Sequence, residues 1–241
     1  MTTELVLLPL GVVAGALTQR ITGIGFALVC APLLVLVAGP YEGVILSNLL
    51  GLTVSLVVFV ASWRDTEWVR GLLLAVPALL AIPVGAYVAR TMAPAPLMVV
   101  IGLLVIVALG AVVLSERARV LRGRAGAIGA GAASGFMNVT AGVGGPAIVL
   151  YAVSTGWAHR KFVATFQFYS IFVNLASLSA KGGLPRVSPA ALVLSFVGLA
   201  VGLAGGQVLS RHVDHELARR LAIGLALVGS VFTVVKGVLT W

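Results

Sequence analysis

Six stretches of the chain, approximately residues 44–62, 69–89, 96–114, 162–180, 190–209 and 217–235, are apolar and almost free of charge, and each is bounded by charge, proline or glycine. A helix rising 1.5 Å per residue needs about 20 apolar residues to cross about 30 Å of hydrocarbon. Each run therefore has the length of a membrane-spanning helix. The composition leaves no soluble alternative: of 241 residues, 60% are hydrophobic and 10% charged, against roughly a quarter charged in ordinary soluble domains. With a mean hydropathy of +1.14 there are too few polar side chains to cover a globule. The expected fold class is an all-α integral membrane protein, a single membrane domain over residues 1–241, inserted in the cell (inner) membrane with the lipid bilayer as its main partner.

The net charge of +9 would suggest a nucleic-acid partner in a soluble chain. Here the basic residues lie between apolar runs, where they set orientation through the positive-inside rule, and no nucleic-acid binding is expected. Cys30 is the one cysteine, so no intrachain disulfide, thiol relay or cysteine metal cluster can form. No metal or cofactor is expected. The first residues carry no Lys or Arg ahead of the apolar run, unlike the start of a signal peptide, and read as mature chain.

Two further apolar regions are interrupted. Residues 5–18 are followed by Gln19, Arg20, Ile21, Thr22, Gly23, Ile24 and Gly25, and then by a second arm over 26–38. Residues 125–137 are followed by Asn138, Val139, Thr140, Ala141, Gly142, Val143, Gly144 and Gly145, and then by a short arm over 146–153. Arms this short pass the midplane without reaching the far side, so each region is either a broken crossing helix or a re-entrant hairpin. Basic residues in the loops separate the two. If both regions cross, the loops divide nine against six; if both are hairpins, the segments 64–70, 117–124, 160–161 and 211–220 hold eleven Lys and Arg against four. The stronger bias favours two re-entrant hairpins, with both termini on the non-cytoplasmic side.

The interrupted regions align at a spacing of 119, placing Ala14, Gly23 and Gly25 on Ala133, Gly142 and Gly144, and further on Gly85 pairs with Gly206 and Gly102 with Gly224. Residues 5–116 and 125–240 thus read as two copies of one unit. A hairpin plus three crossings is an odd number of traversals, which makes the second copy inverted, as in many transporters.

In an inverted pair the two Gly-rich tips are expected to meet near the midplane. Unwound backbone is tolerated there only when buried in protein or lining a wet cavity. Gly23, Gly25, Gly142, Gly144 and Gly145 let a ligand approach main-chain N–H groups, and Pro146 suits the first turn of a helix. Inward-pointing helix N-termini, each carrying about half a positive charge, favour an anion. Arg20 is an ionisable residue inside an apolar region, a functional-site candidate by its position, with a guanidinium matched to paired oxyanion oxygens; snorkelling or pairing with Glu42 is its structural alternative. Gln19, Thr22, Asn138 and Thr140 are substrate-binding candidates with it. Thr18, Ser47, Asn48, Thr165, Gln167 and Tyr169 are second-rank residues that would line the route or bond between helices. Glu4, Glu42, Asp65, Glu67, Glu116, Asp214 and Glu216 all fall at segment ends or in loops, so no midplane carboxylate is expected to couple transport to protons or sodium. Expelling one negative charge from a negative interior releases about 2.3 kcal/mol per 100 mV, which would suffice without such a residue.

Two stretches carry a resemblance: GVVAGALTQRITGIGFALVCAP over residues 11–32 and GAGAASGFMNVTAGVGGP over 129–146. They resemble the TauE/SafE family of membrane anion transporters, over nearly the whole chain. The resemblance implies export of sulfite or organosulfonates, as in some members. Where members often carry a glycine after the first Gly-x-Gly this chain has Phe26, while the second copy keeps Gly145, so the half-sites differ. The expectation is a membrane transporter, an exporter of a small oxyanion bound between the two tips, and not an enzyme, because no buried acid, base or nucleophile cluster is present. A cation carrier using unwound carbonyls, or a non-transporting membrane scaffold, are the alternatives.

Overall fold

The computed structural model describes residues 2–22, 25–114, 121–209 and 215–241. Among them are ten α-helices: α1 (Thr2–Thr22), α2 (Phe26–Ala38), α3 (Pro40–Ser62), α4 (Trp68–Thr91), α5 (Pro94–Leu114), α6 (Gly123–Ala141), α7 (Gly145–Ser154), α8 (His159–Lys181), α9 (Pro189–Leu209) and α10 (His215–Leu239), with a single 3-10 turn at Trp63–Asp65. Six of these are long and apolar enough to cross a membrane, namely α3, α4, α5, α8, α9 and α10, while α2 and α7 are shorter apolar helices. The six expected spans fall within a few residues of these helices.

The helical contacts divide into two compact units, residues 1–47, 92–106 and 184–241, and residues 48–91 and 107–183. Each unit draws on both halves of the sequence. In the first, α1 and α2 fold back on one another: Gly11 of α1 faces Leu33 of α2, and Gly15 faces Cys30 and the Phe26 carbonyl. Helix α9 runs parallel to α1, with Gly198, Gly202 and Gly206 pressed in turn over Pro9, Val13 and Ala16, and Leu17 and Arg20. Glycines at this four-residue spacing let two helix backbones approach closely where lipid supplies no hydrophobic drive. Helix α10 closes on α2, where Thr233 Oγ1 and Lys236 Nζ donate to the carbonyls of Pro32 and Leu36 at 3.5 and 2.8 Å.

In the second unit other glycines carry the packing. Helices α6 and α7 fold back, because Ser134 Oγ donates to the Gly144 carbonyl at 2.6 Å and Arg122 Nε to the Ser154 carbonyl at 3.3 Å. The segment thus ends beside the point at which it began. Helix α4 runs parallel to α6: Gly131 lies over Leu74, Gly135 over Ala78, and Gly85 over Phe136 and Val139.

Both interruptions are shorter than the sequence suggested. Gln19 and Arg20 lie in the last turns of α1, and Asn138 and Thr140 in those of α6. Polar side chains did not break these helices because they bond along them: Thr18 Oγ1 reaches the Ala14 carbonyl at 2.8 Å and Thr140 Oγ1 that of Phe136 at 2.6 Å. The second break begins at Gly142, where φ is +73° and the N–H returns to the Asn138 carbonyl at 2.9 Å. Only glycine adopts that left-handed turn at little cost.

Candidate functional site

The second unit holds the larger buried polar cluster. Asn138, at the end of α6, donates through Nδ2 to Asn174 Oδ1 at 3.1 Å and Ser177 Oγ at 3.2 Å, both on α8. Its carbonyl accepts from Asn48 Nδ2 on α3 at 3.4 Å. Gly51, one turn beyond Asn48, opposes Asn174, where any side chain would meet the amide at 3.4 Å. Gly144 packs against Ser134 and Asn138 so closely that a Cβ would lie 2.7 Å from Ser134 Oγ. The turn at Gly142–Gly144 is thereby fixed over the polar cluster rather than left free. Helix α7 starts at Gly145 with Pro146 in its first turn and no side-chain cap, so its positive end faces this cluster's side of the hairpin.

Helix α8 supplies a stripe. Gln167, Ser170, Asn174, Ser177 and Lys181 recur at three- and four-residue intervals, hence on one face, and all are at least nine-tenths buried. Several polar atoms in this unit lack a hydrogen-bond partner although buried: Gln167 Nε2, the Tyr169 hydroxyl and Asn48 Oδ1. The Ser134 hydroxyl lies beside that of Tyr169 and interacts with it, short of a full hydrogen bond. Each buried, unsatisfied polar group costs about 1–3 kcal/mol, which sets these atoms apart from residues bonded along or between helices.

The other expected residues sort differently. Thr165 is fully buried and structural in its bonds, donating to the Lys161 carbonyl at 2.8 Å and accepting from the Glu67 N–H at 2.9 Å. Thr140 is buried and bonded back along α6. In the first unit Ser47 is buried, with its hydroxyl unpartnered. Gln19 is buried and its Oε1 accepts the Phe26 N–H at 3.1 Å, taking up a donor at the start of α2. Arg20 is exposed, with Nε bonded to Gln207 Oε1 on α9, so its partner is an amide and not Glu42; Glu42 Oε2 instead accepts the Arg186 N–H at 2.6 Å. Gly25 caps α2, while Gly23 and the Thr22 side chain lie outside the described residues. Sequence reasoning missed Ser134, Ser170, Asn174, Ser177 and Lys181. The helical period of polar residues within an otherwise apolar span was the signal that could have found them.

Six helices of spanning length mark a multi-pass membrane protein, and one of its two folded-back hairpins ends at a buried polar cluster. The family model described as Sulfite exporter TauE/SafE matches residues 7–233. The chain belongs to that family of membrane sulfite and anion exporters. Neither a curated protein nor a solved structure matched it.

Proposed function

We propose that the chain exports sulfite or a small organosulfonate across the inner membrane, with binding residues at the Gly-rich hairpin end of each unit. The observation that carries this reading is the set of buried, unpartnered polar atoms in the second unit, Gln167 Nε2 and the Tyr169 hydroxyl among them. Both are donors or can act as such, and so is the uncapped start of α7. A tetrahedral or pyramidal oxyanion needs several donors and no acid, and this unit offers amides and hydroxyls. The binding set is Asn138, Gly142, Gly144 and Gly145 with Gln167 and Tyr169; in the first unit it is Gln19, Arg20, Thr22, Gly23 and Gly25.

The proposed architecture is a pair of inverted repeats over 5–116 and 125–240, with re-entrant hairpins and both termini outside. The packing inside each unit supports the repeat. Gly85 lies over Phe136 and Val139, and Gly206 over Leu17 and Arg20; the covered residues differ by the same 119 that aligns the glycine motifs. Outward movement of an anion is driven by the membrane potential.

Replacing Tyr169 by Phe tests the site most cleanly. The hydroxyl it removes has only the Ser134 hydroxyl beside it, so thermal stability should change little. Sulfite efflux from loaded proteoliposomes should fall at least about tenfold, the loss of one hydrogen bond to an anion. Efflux within twofold of wild type, at equal incorporation, would remove Tyr169 and this cluster from the binding site.

A further inference from the structure

We infer that a cavity at the basic end of the second unit is a site for an anionic phospholipid headgroup of the phosphatidylglycerol type. The cavity measures about 620 Å³ and is lined by Thr66, Glu67, Trp68, Arg70, Arg124 and Tyr151, with Gly123 at its edge. That is room for a phosphate and its glycerol, within the range of small-molecule pockets. It opens where α4 and α6 begin, at the end of the unit where Arg64, Arg122 and the first turn of α8 with Arg160 and Lys161 also lie: Asp65 pairs with Arg160 at 2.7 Å and Glu67 with Lys161 at 3.2 Å.

Three observations select the occupant. The first is charge. Among the described residues Glu67 is the one acid lining the cavity, and both its oxygens are engaged, Oε2 by Arg70 at 3.4 Å and Oε1 by Lys161 at 3.2 Å. Two cations against one carboxylate, plus Arg124, leave the wall net positive. Among the described residues of the wall no free acid remains for the ammonium of an ethanolamine or choline headgroup. Arg70 is held in place by its guanidinium lying 4.0 Å over the Trp157 ring and 5.4 Å from that of Tyr151, which presets its fork for a phosphate.

The second is an unmet donor. Thr66 is 8% exposed, and its Oγ1 is buried without a hydrogen-bond partner although it lines the cavity. A phosphate oxygen would meet it. The third is the outer surface of α4 below the cavity. Val69, Leu72, Val76 and Leu80 are 82%, 51%, 53% and 74% exposed and follow one another at three- and four-residue steps, a ridge along which acyl chains can lie. Trp63 and Trp68, both about half exposed, sit at the same level, as tryptophans do at a membrane–water interface. A soluble anion would gain nothing from that ridge, whereas basic pockets between membrane helices suit anionic headgroups.

The experiment compares lipids on the purified, delipidated protein by native mass spectrometry and by tryptophan-monitored unfolding. Phosphatidylglycerol should be retained at least about tenfold better than phosphatidylethanolamine of the same chains and should raise the melting temperature. Arg124→Gln and Thr66→Val should each erase most of that preference; the first residue is exposed and the second carries an unpartnered hydroxyl, so neither change should impair folding. Equal retention of the two lipids, or a preference that survives in both variants, would overturn the site. Glycerol phosphate without acyl chains serves as the soluble probe: if it reproduces the stabilisation at similar concentration, the cavity takes free anions and the lipid assignment fails.

Discussion

Replacing Gly135 by Ala puts the packing of the second hairpin under the most direct test. A Cβ built there lies 2.3 Å from the Ala78 carbonyl oxygen and 2.7 Å from its carbonyl carbon and Cα. All three are backbone atoms of a neighbouring helix, so no rotamer change can relieve them. Ordinary contact begins near 3.4 Å, which requires α6 to part from α4 by about 1 Å. Overpacking of this kind costs about 1–3 kcal/mol, here at the upper end, while exchanging Gly for Ala in a helix interior returns about 1 kcal/mol. The net loss is about 2 kcal/mol, or about 4–8 °C in melting temperature for a chain of this size. Asn138 lies one turn on, and its bonds of 3.1 and 3.2 Å to Asn174 and Ser177 would stretch out of range, so efflux should fall with stability. Tryptophan fluorescence reports on this unit, because Trp63, Trp68 and Trp157 all belong to it. Gly129→Ala is the control: no atom lies within 4 Å of its Cβ, so only the helix gain of about 1 kcal/mol remains. If Gly135→Ala melts at or above wild type, as Gly129→Ala should, the close approach of α4 and α6 is not what holds the hairpin.

Two further outcomes follow from charge. Burial alone would raise the Glu67 carboxyl, but Lys161 and Arg70 outweigh it and hold its pKa below the usual carboxylate value. Its pairing therefore stabilises the fold fully above the ordinary glutamate pKa of about 4.3 and is lost as pH falls through the lowered value; because the side chain is 31% exposed, the contribution is below about 1 kcal/mol. Glu67→Gln should melt slightly below wild type at pH 7, with the gap closing as pH falls below about 4, and a gap that widens with acid would contradict the pairing. Arg20→Ala should lower efflux at least about tenfold while costing at most about 1 kcal/mol of stability, since it loses one exposed bond to Gln207; unchanged efflux would take Arg20 out of the proposed binding set.

Apolar run length located the six spans because nothing competes with it: a segment in hydrocarbon must satisfy its backbone internally, and only a helix does so. The hairpins were legible through glycine, but the extent of each break was not. Asn138 and Thr140 read as loosened backbone by residue type, whereas their side chains bond within or between helices and leave the helix intact through Ala141. The exchange of partners, α1 with α9 and α6 with α4, was also out of reach, because small residues mark a close approach without naming the helix approached. Lys181 was legible as a charge at a helix end, yet it is 4% exposed, which residue type alone does not foretell.

Under the proposed repeat, Gln19 and Asn138 are equivalent positions, 119 residues apart, and both are amides. Their different lengths give them different work. Gln19 has the extra methylene and reaches across the break to accept the Phe26 N–H at 3.1 Å, so a donor at the start of α2 is already occupied. Asn138 is too short for that reach and turns to Asn174 and Ser177 on α8. The residue after each Gly-x-Gly differs in the same sense: Phe26 fills the first position, and Gly145 leaves the second open, with only the Phe166 ring 3.5 Å from where a Cβ would sit. One methylene and one aromatic ring thus distinguish the two hairpin ends, and under the proposed function the second hairpin, the more open of the two, would supply the donors to the anion.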